Sequence, residues 1–417
     1  MKDESFSSES GIYSISKVLQ GYCKGIATSD FHLAYFENIT RFACVCAFFV
    51  VPLQSMAGIY VHIPFCKSRC RYCDFFSTTQ LEKRELYIDA LINEWQTYQS
   101  KWSRQEIQTL YLGGGTPSLL SIESLHKLLH SILNSINPNT IQEITLETNP
   151  GDITADKIQA WRAIGINRLS IGIQSFNDRL LQLVGRRHNA KQAIQAVRTA
   201  QAEGINNISI DLMYALPTQS MEEWQADIEL ALELNVPHIS SYGLIYEEGT
   251  SLSQLLEQGR ITAIDEEVEM RMYDQLVDQL TQHGYEHYEV SNFSLPGRHS
   301  KHNSSYWKDS PYLGLGASAH SYDGKKRWWN VANIDQYITL AMSHSLTPEQ
   351  EIIGKEERHM ELVMLGLRTS EGVKYSIVNM DKAQTYISQG LLQIKGENLV
   401  ATTKGYHILN RIIEDLV

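Results

Sequence analysis

Six times between residues 57 and 245, a short run rich in β-branched residues is followed by a longer stretch with helical spacing. The runs at 58–63, 107–112, 141–146, 168–173, 208–212 and 238–244 favour a pleated backbone. Between them, residues 81–102 predict a helix on which Leu86, Ala90, Leu91, Trp95 and Tyr98 share a face. Ser121 and Thr154 stand where helix N-caps belong, and 191–202 and 221–234 complete the pattern. Strands alternating with helices mean parallel βα units, and in such folds ligands gather at the carboxyl ends of the strands.

The first run stops at Pro64, and the loop beyond it carries Cys66, Cys70 and Cys73 in the spacing CxxxCxxC. Three thiolates on one short loop suit a soft metal or an iron–sulfur cluster. Structural zinc and ordinary clusters both take four protein ligands, and no fourth cysteine follows. A cubane held by three cysteines keeps one iron open to a small molecule. A three-cysteine zinc site completed by His62 or a remote ligand stands beside that reading. The other cysteines, Cys23, Cys44 and Cys46, lie upstream. No disulfide framework is visible, which fits a reducing cytoplasm.

The remaining strand ends are also polar. The second ends in Gly113, Gly114, Gly115, Thr116 and Pro117, where glycines let backbone approach a ligand. Neither GxGxxG nor GK[ST] is present, so dinucleotide and P-loop sites are excluded. The third ends at Glu147, which can bind a hydroxyl or an ammonium. The fourth ends at Gln174, followed by Arg186, whose fork suits a carboxylate. The fifth carries Asp211. Singly, each could be a cap or an exposed loop residue; their recurrence at successive strand ends points to one site.

A chain of 417 residues with 43% hydrophobic content predicts one large domain or two. The net charge of −12 argues against a nucleic-acid partner. Residues 1–55 read differently: Ser and Thr are frequent and periodicity is poor. The apolar patch at 43–51 is too short to span a bilayer. Its length suits a signal h-region, although a long polar lead precedes it. Met56 stands just before the first strand and is the expected natural start, a reading that a native peptide spanning residues 50–60 overturns. The CxC pair of Cys44 and Cys46 reads as incidental.

In the second half, residues 266–283 predict an amphipathic helix and 285–293 a strand-like run. His302, Asn303, Tyr306 and Trp307 then form an HNxxYW segment. An imidazole can ligate iron and aromatic rings can pack on a macrocycle; a turn with a part-buried His and Trp is the plainer reading. Residues 311–321 form a Gly-rich turn containing His320. Helices at 356–367 and 404–416 around a hairpin at 390–403, turning at 396–398, suggest a small winged-helix-like domain.

The CxxxCxxC loop with its neighbouring glycine loop resembles the radical S-adenosylmethionine (SAM) family. From Tyr60 to about Asp323 the chain is similar to that family's coproporphyrinogen-oxidase-like branch, and the HNxxYW segment resembles the haem-binding motif of HemW-type haem chaperones. The resemblance implies an α/β fold with a partial (β/α)6 barrel, a C-terminal α+β extension and the winged-helix-like domain. It implies a 4Fe-4S cluster on Cys66, Cys70 and Cys73. It places SAM contacts at Tyr60, Tyr72, Gly114, Gly115, Thr116, Glu147, Gln174, Arg186, Asp211 and Gly243, and a haem ligand at His302. The implied division is an extension at 1–56, a core at 57–300 and a haem-motif and winged-helix-like region at 301–417. Implied partners are haem, haem-accepting proteins such as cytochromes, a reductant protein and a second copy in a homodimer. The alternative is an oxygen-independent coproporphyrinogen III dehydrogenase, which decarboxylates propionates by SAM-derived radical chemistry. The oxidases resemble CxxxCxxCxC, however, and Phe75 holds the position of the extra cysteine; residues 1–55 also do not match their N-terminal arm.

Overall fold

The computed structural model describes residues 56–417. The patch at 43–51, the CxC pair and the chain preceding Met56 lie outside them. The parallel strands and their helices follow the expected alternation. β1 (Met56–Ile63) leads to α1 (Arg84–Trp102), β2 (Glu106–Gly114) to α2 (Ile122–Leu133), and β3 (Glu143–Thr148) to α3 (Ala155–Ala163). β4 (Arg168–Gln174) leads to α4 (Asp178–Leu183) and α5 (Ala190–Ala202), β5 (Ile208–Tyr214) to α6 (Met221–Glu233), and β6 (His238–Gly243) to α7 (Ser251–Glu257) and α8 (Glu266–Gln282). Ser121 and Thr154 do cap α2 and α3, accepting the Ser124 and Lys157 amides. Ser220 and Glu223 close a reciprocal capping box on α6.

Neighbouring strands β1 to β6 pair in chain order, all parallel. Flat, β1 and β6 would stand about 24 Å apart at the usual strand spacing. Yet Tyr60 of β1 and Tyr242 of β6 line one cavity, so the sheet curls into a partial barrel. Period-two alternation explains its two faces. Leu110, Leu112, Leu146, Ile171, Ile210 and Ile239 point outward and pack under the helices. Tyr111, Glu147, Ser170, Ser209, Asp211 and Ser240 point inward and line the cavity. The barrel interior is therefore polar and open rather than filled with branched aliphatic layers.

The structure corrects several local expectations. Leu86 is 54% exposed; Tyr87 and Ile88 take the buried face of α1 instead. Residues 285–293 fold back as β7 (Glu286–Glu289) and β8 (Asn292–Ser294), with β8 antiparallel to β6. The HNxxYW segment is a short helix, α9 (Lys301–Trp307), capped by Ser300. The sheet includes strands from both sides of residue 300. β9 (Tyr312–Leu315) lies parallel beside β1, and β10 (His320–Tyr322), β11 (Lys326–Trp329) and β12 (Glu349–Ile352) extend the sheet from there. Backbone pairing with β1 decides this, and no local pattern in residues 312–315 announces it. α10 (Ile334–Met342) packs on α1.

A second core gathers α11 (Lys355–Leu367), β13 (Val373–Lys374), α12 (Met380–Ser388), β14 (Leu392–Lys395) and β15 (Asn398–Ala401). Their three strands order β13-β15-β14, the expected winged-helix-like hairpin. The last helix is two pieces, α13 (Thr403–Tyr406) and α14 (Leu409–Leu416). Arg368 joins this unit to the barrel, 3.6 Å from Glu289 and over the Trp307 ring. Among the described residues no helix is long and apolar enough to cross a membrane.

Candidate cofactor cavity in the partial barrel

Pro64 ends β1, and the cysteine loop leaves the sheet through a backbone pinch. Thr78 N–H donates to the Pro64 carbonyl at 2.7 Å, and Cys66 N–H to the Thr78 carbonyl at 2.9 Å. The loop's far side is tied down where Arg71 N–H donates to the Val184 carbonyl at 3.0 Å. Cys66, Cys70 and Cys73 are free and part-exposed, and all three face one cavity of about 250 Å³. Thr116 Oγ1 donates toward Cys66 Sγ at 3.7 Å, and Arg186 Nη1 toward Cys70 Sγ at 3.4 Å. Burial pushes the Cys66 thiol up and the Cys73 thiol up to about 12. A metal must displace those protons to bind.

The donor set fits a cluster better than a zinc ion. Three thiols face one cavity, and zinc would need a fourth protein ligand beside them. His62 is also committed: Nδ1 meets the Tyr60 hydroxyl at 3.0 Å and Nε2 the Phe76 carbonyl at 2.9 Å. Burial pulls its pKa down to about 4, so the ring is neutral. Nε2–H donates to Phe76, and Nδ1 accepts from Tyr60. His62 thus anchors the far end of the cysteine loop.

The glycine loop wraps over this histidine. Gly114 has φ +109°, and a Cβ there would collide with the His62 ring. A Cβ on Gly115 would come within 2.7 Å of the Pro64 backbone. Glu147 braces the loop: one oxygen accepts the Gly114 amide at 2.9 Å, the other the Tyr111 hydroxyl at 2.8 Å. Gln174 ends β4 at φ 72°, beyond a bulge against β5. Arg186 reaches back along β4 to the Gly172 carbonyl. Asp211 takes the Ser170 hydroxyl at 3.3 Å. Burial first, and then the Glu147 charge, push Asp211 up to about 7. Burial likewise raises Tyr72 well above the phenol range. Gly243 lies where a Cβ would meet Glu269.

Every residue singled out for the cluster or for SAM lines this one cavity; His302 does not. His302 is fully buried beneath the floor. Its Nδ1 lies 2.7 Å from Thr109 Oγ1 and its Nε2 2.9 Å from the Tyr306 hydroxyl, while its ring stacks on Tyr111. Burial lowers its pKa to about 3. In this fold both ring nitrogens of His302 are engaged in internal hydrogen bonds. The carboxylate of Glu143 accepts the Lys301 and His302 amides, so α9 plugs the bottom of the barrel. Sequence reasoning missed the floor residues Arg168 and Ser300, which the cavity reaches together with Asn303 of the HNxxYW segment. The inward phase of β4 was the available signal for Arg168.

A curled parallel sheet with a three-cysteine loop and a braced glycine turn at its mouth defines a radical SAM protein, and residues 60–231 match the Radical SAM superfamily. The chain is 36% identical over 374 residues to the heme chaperone HemW of Lactococcus lactis subsp. lactis, covering 87% of this chain and 97% of that one. It is 38% identical over 328 residues to HemW of Bacillus subtilis (76% and 85%). It is 32% identical over 390 residues to the mouse mitochondrial radical S-adenosyl methionine domain-containing protein 1 (87% and 88%). The solved coproporphyrinogen III oxidase HemN from Escherichia coli superposes with TM-score 0.75 at 23% identity, covering 87% and 90%, a likeness of fold. The chain belongs to the HemW family of radical SAM proteins.

Proposed function

We propose that this protein is a haem chaperone: it binds haem as cargo on a radical SAM scaffold and passes it to acceptor proteins. The observation that carries the reading is end-to-end similarity, 36% over 97% of a heme chaperone's length, in a chain whose third cysteine is followed by Asp74 and Phe75. The oxidase reading rests on fold likeness alone, and Phe75 stands where those enzymes would have their further cysteine.

Cys66, Cys70 and Cys73 hold the 4Fe-4S cluster. SAM lies against Gly114, Gly115 and Thr116, reached by Tyr60, Tyr72, Glu147, Gln174, Arg186, Asp211 and Gly243. Such a cluster, together with SAM, would supply one-electron chemistry. The protein's part is positional. Glu147 keeps the Gly114 amide in place, Arg186 spans the Cys70 sulfur and the β4 backbone, and His62 fixes the loop end. Ligation of haem iron by His302 requires exchange of its Tyr306 or Thr109 hydrogen bond for the metal. The acceptors in this reading are cytochrome-like, the compartment is the cytoplasm, and a reductant protein and a homodimer complete the picture.

The test is a haem titration of anaerobically reconstituted protein, followed in the Soret band. Saturable binding supports the chaperone. Absence of binding above a nonspecific control overturns it and redirects the work to assays with coproporphyrinogen III, SAM and a reductant.

A further inference from the structure

The floor of the cavity holds a buried cation with no ion-pair partner among the described residues. Arg168 opens β4 and is 2% exposed. Its Nη1 donates to Asn207 Oδ1 at 2.7 Å, a neutral amide, and its Nε has no partner. Among the described residues no carboxylate forms an ion pair with it. The other deeply buried arginines differ. Arg327 stands between Glu351 and Glu361, and Arg368 faces Glu289. A guanidinium does not give up its proton inside a protein, and an unpaired buried charge is expensive.

The nearby carboxylates are engaged elsewhere. Glu143 accepts two backbone amides of α9. Asp211 sits one layer up, on Ser170. Asn303, which lines the same cavity as Arg168, is 9% exposed and has an unpartnered Oδ1. An amide can present either its oxygen or its NH2 there. Thr145, opposite Arg168 in the β3–β4 register, also has an unpartnered hydroxyl. Polar atoms without partners therefore gather at the closed end of the barrel: a guanidinium Nε, a hydroxyl and an amide oxygen. Gln174, at the mouth, is six residues farther along β4, about 20 Å away at strand rise. This floor is separate from the strand ends where SAM is placed.

We propose that Arg168 and Asn303 form a carboxylate-binding subsite on the barrel floor, and that its occupant is a propionate of the porphyrin cargo. The choice of occupant rests on the haem reading above. The forked guanidinium edge suits a carboxylate's two oxygens, and Asn303 supplies an amide donor in the same cavity.

The experiment compares haem with its dimethyl ester, in which both propionates are masked, on SAM-loaded reconstituted protein in dilute non-ionic detergent. Wild type should bind haem about tenfold or more tighter than the ester, as expected for a charge-assisted pair. Arg168→Gln should lower haem affinity to that of the ester and leave the ester unchanged; Arg168→Lys should restore part of the difference. A merely structural arginine would shift both ligands alike. Should Arg168→Gln fail to fold, Asn303→Asp places a negative charge at the subsite and should weaken haem selectively. Equal affinities in wild type, or a preference that survives both substitutions, overturn the subsite and leave the haem reading standing. Failure of wild type to bind haem at all overturns that reading, and the porphyrin propionate with it.

Discussion

The Nδ1 of His302 lies 2.7 Å from the hydroxyl of Thr109, a contact across 193 residues of chain. With Nε2 on Tyr306, the neutral ring fills its one donor and one acceptor inside the barrel floor. Removing it strands both hydroxyls in a dry site. His302→Ala should cost about 3 kcal/mol of stability, and Tyr306→Phe about 1 kcal/mol, read by urea unfolding of the metal-free protein. The haem spectrum separates pin from ligand. If His302 ligates iron after α9 moves, Tyr306→Phe frees Nε2 and tightens haem binding, whereas His302→Ala abolishes it. If His302 is a pin alone, the Soret maximum of bound haem is the same in both variants as in wild type.

Gly114→Ala tests the glycine loop. The added methyl meets the His62 ring, and φ +109° is outside the ordinary range of an alanine. The loop must shift to relieve both, which moves its amide off Glu147. SAM affinity, measured by equilibrium dialysis, should fall about fivefold or more, since the strain alone is about 1–3 kcal/mol. Retention of wild-type affinity would separate this loop from SAM binding.

Asp211 makes stability depend on pH in the direction opposite to a salt-bridged carboxylate. Its folded pKa, about 7, lies above the ordinary aspartate value of 3.8. Between those values the folded state holds a proton that the unfolded state has lost. Stability from this group is therefore full below about pH 4 and declines as pH rises toward 7, by up to about 1.4 kcal/mol per unit. Asp211→Asn should flatten that slope and be more stable than wild type at pH 8 in the absence of SAM. Parallel stability–pH curves for the two proteins would disprove the assignment.

The thiols give a compositional test. Cys66→Ser, Cys70→Ser and Cys73→Ser should each remove most of the iron and acid-labile sulfide from reconstituted protein. His62→Gln should keep both, because its ring braces the loop at Phe76 and Tyr60 and is not a ligand. Iron lost in His62→Gln but kept in one cysteine variant would point to a different ligand set.

Much of this molecule was legible in its sequence because the signals were local. Strand and helix periods identified the alternating units, and Ser121 and Thr154 marked their helix starts. Rules for parallel sheets then sent Cys66, Glu147, Asp211 and the rest to one mouth, where they do meet. The misses share a cause. Leu86 and Tyr87 are neighbours, and only the packing of α1 against the sheet and α10 selects between them. The continuation of the sheet through β9 depends on pairing with β1, some 250 residues earlier in the chain.

The HNxxYW segment shows the division most clearly. By itself the sequence determined that a histidine, an amide and two aromatics stand together, and that the strands alternate apolar with polar residues. Only the tertiary structure decided that the histidine turns into the floor against Thr109 and Tyr111 while the amide of Asn303 faces the cavity. A one-residue step on a helix rotates a side chain by about 100°, and which side becomes interior is set by what the rest of the chain brings to it. The same holds for Arg168. Its inward phase follows from the pattern of β4, but that no carboxylate among the described residues pairs with it depends on where β3, β5 and α9 place their own side chains.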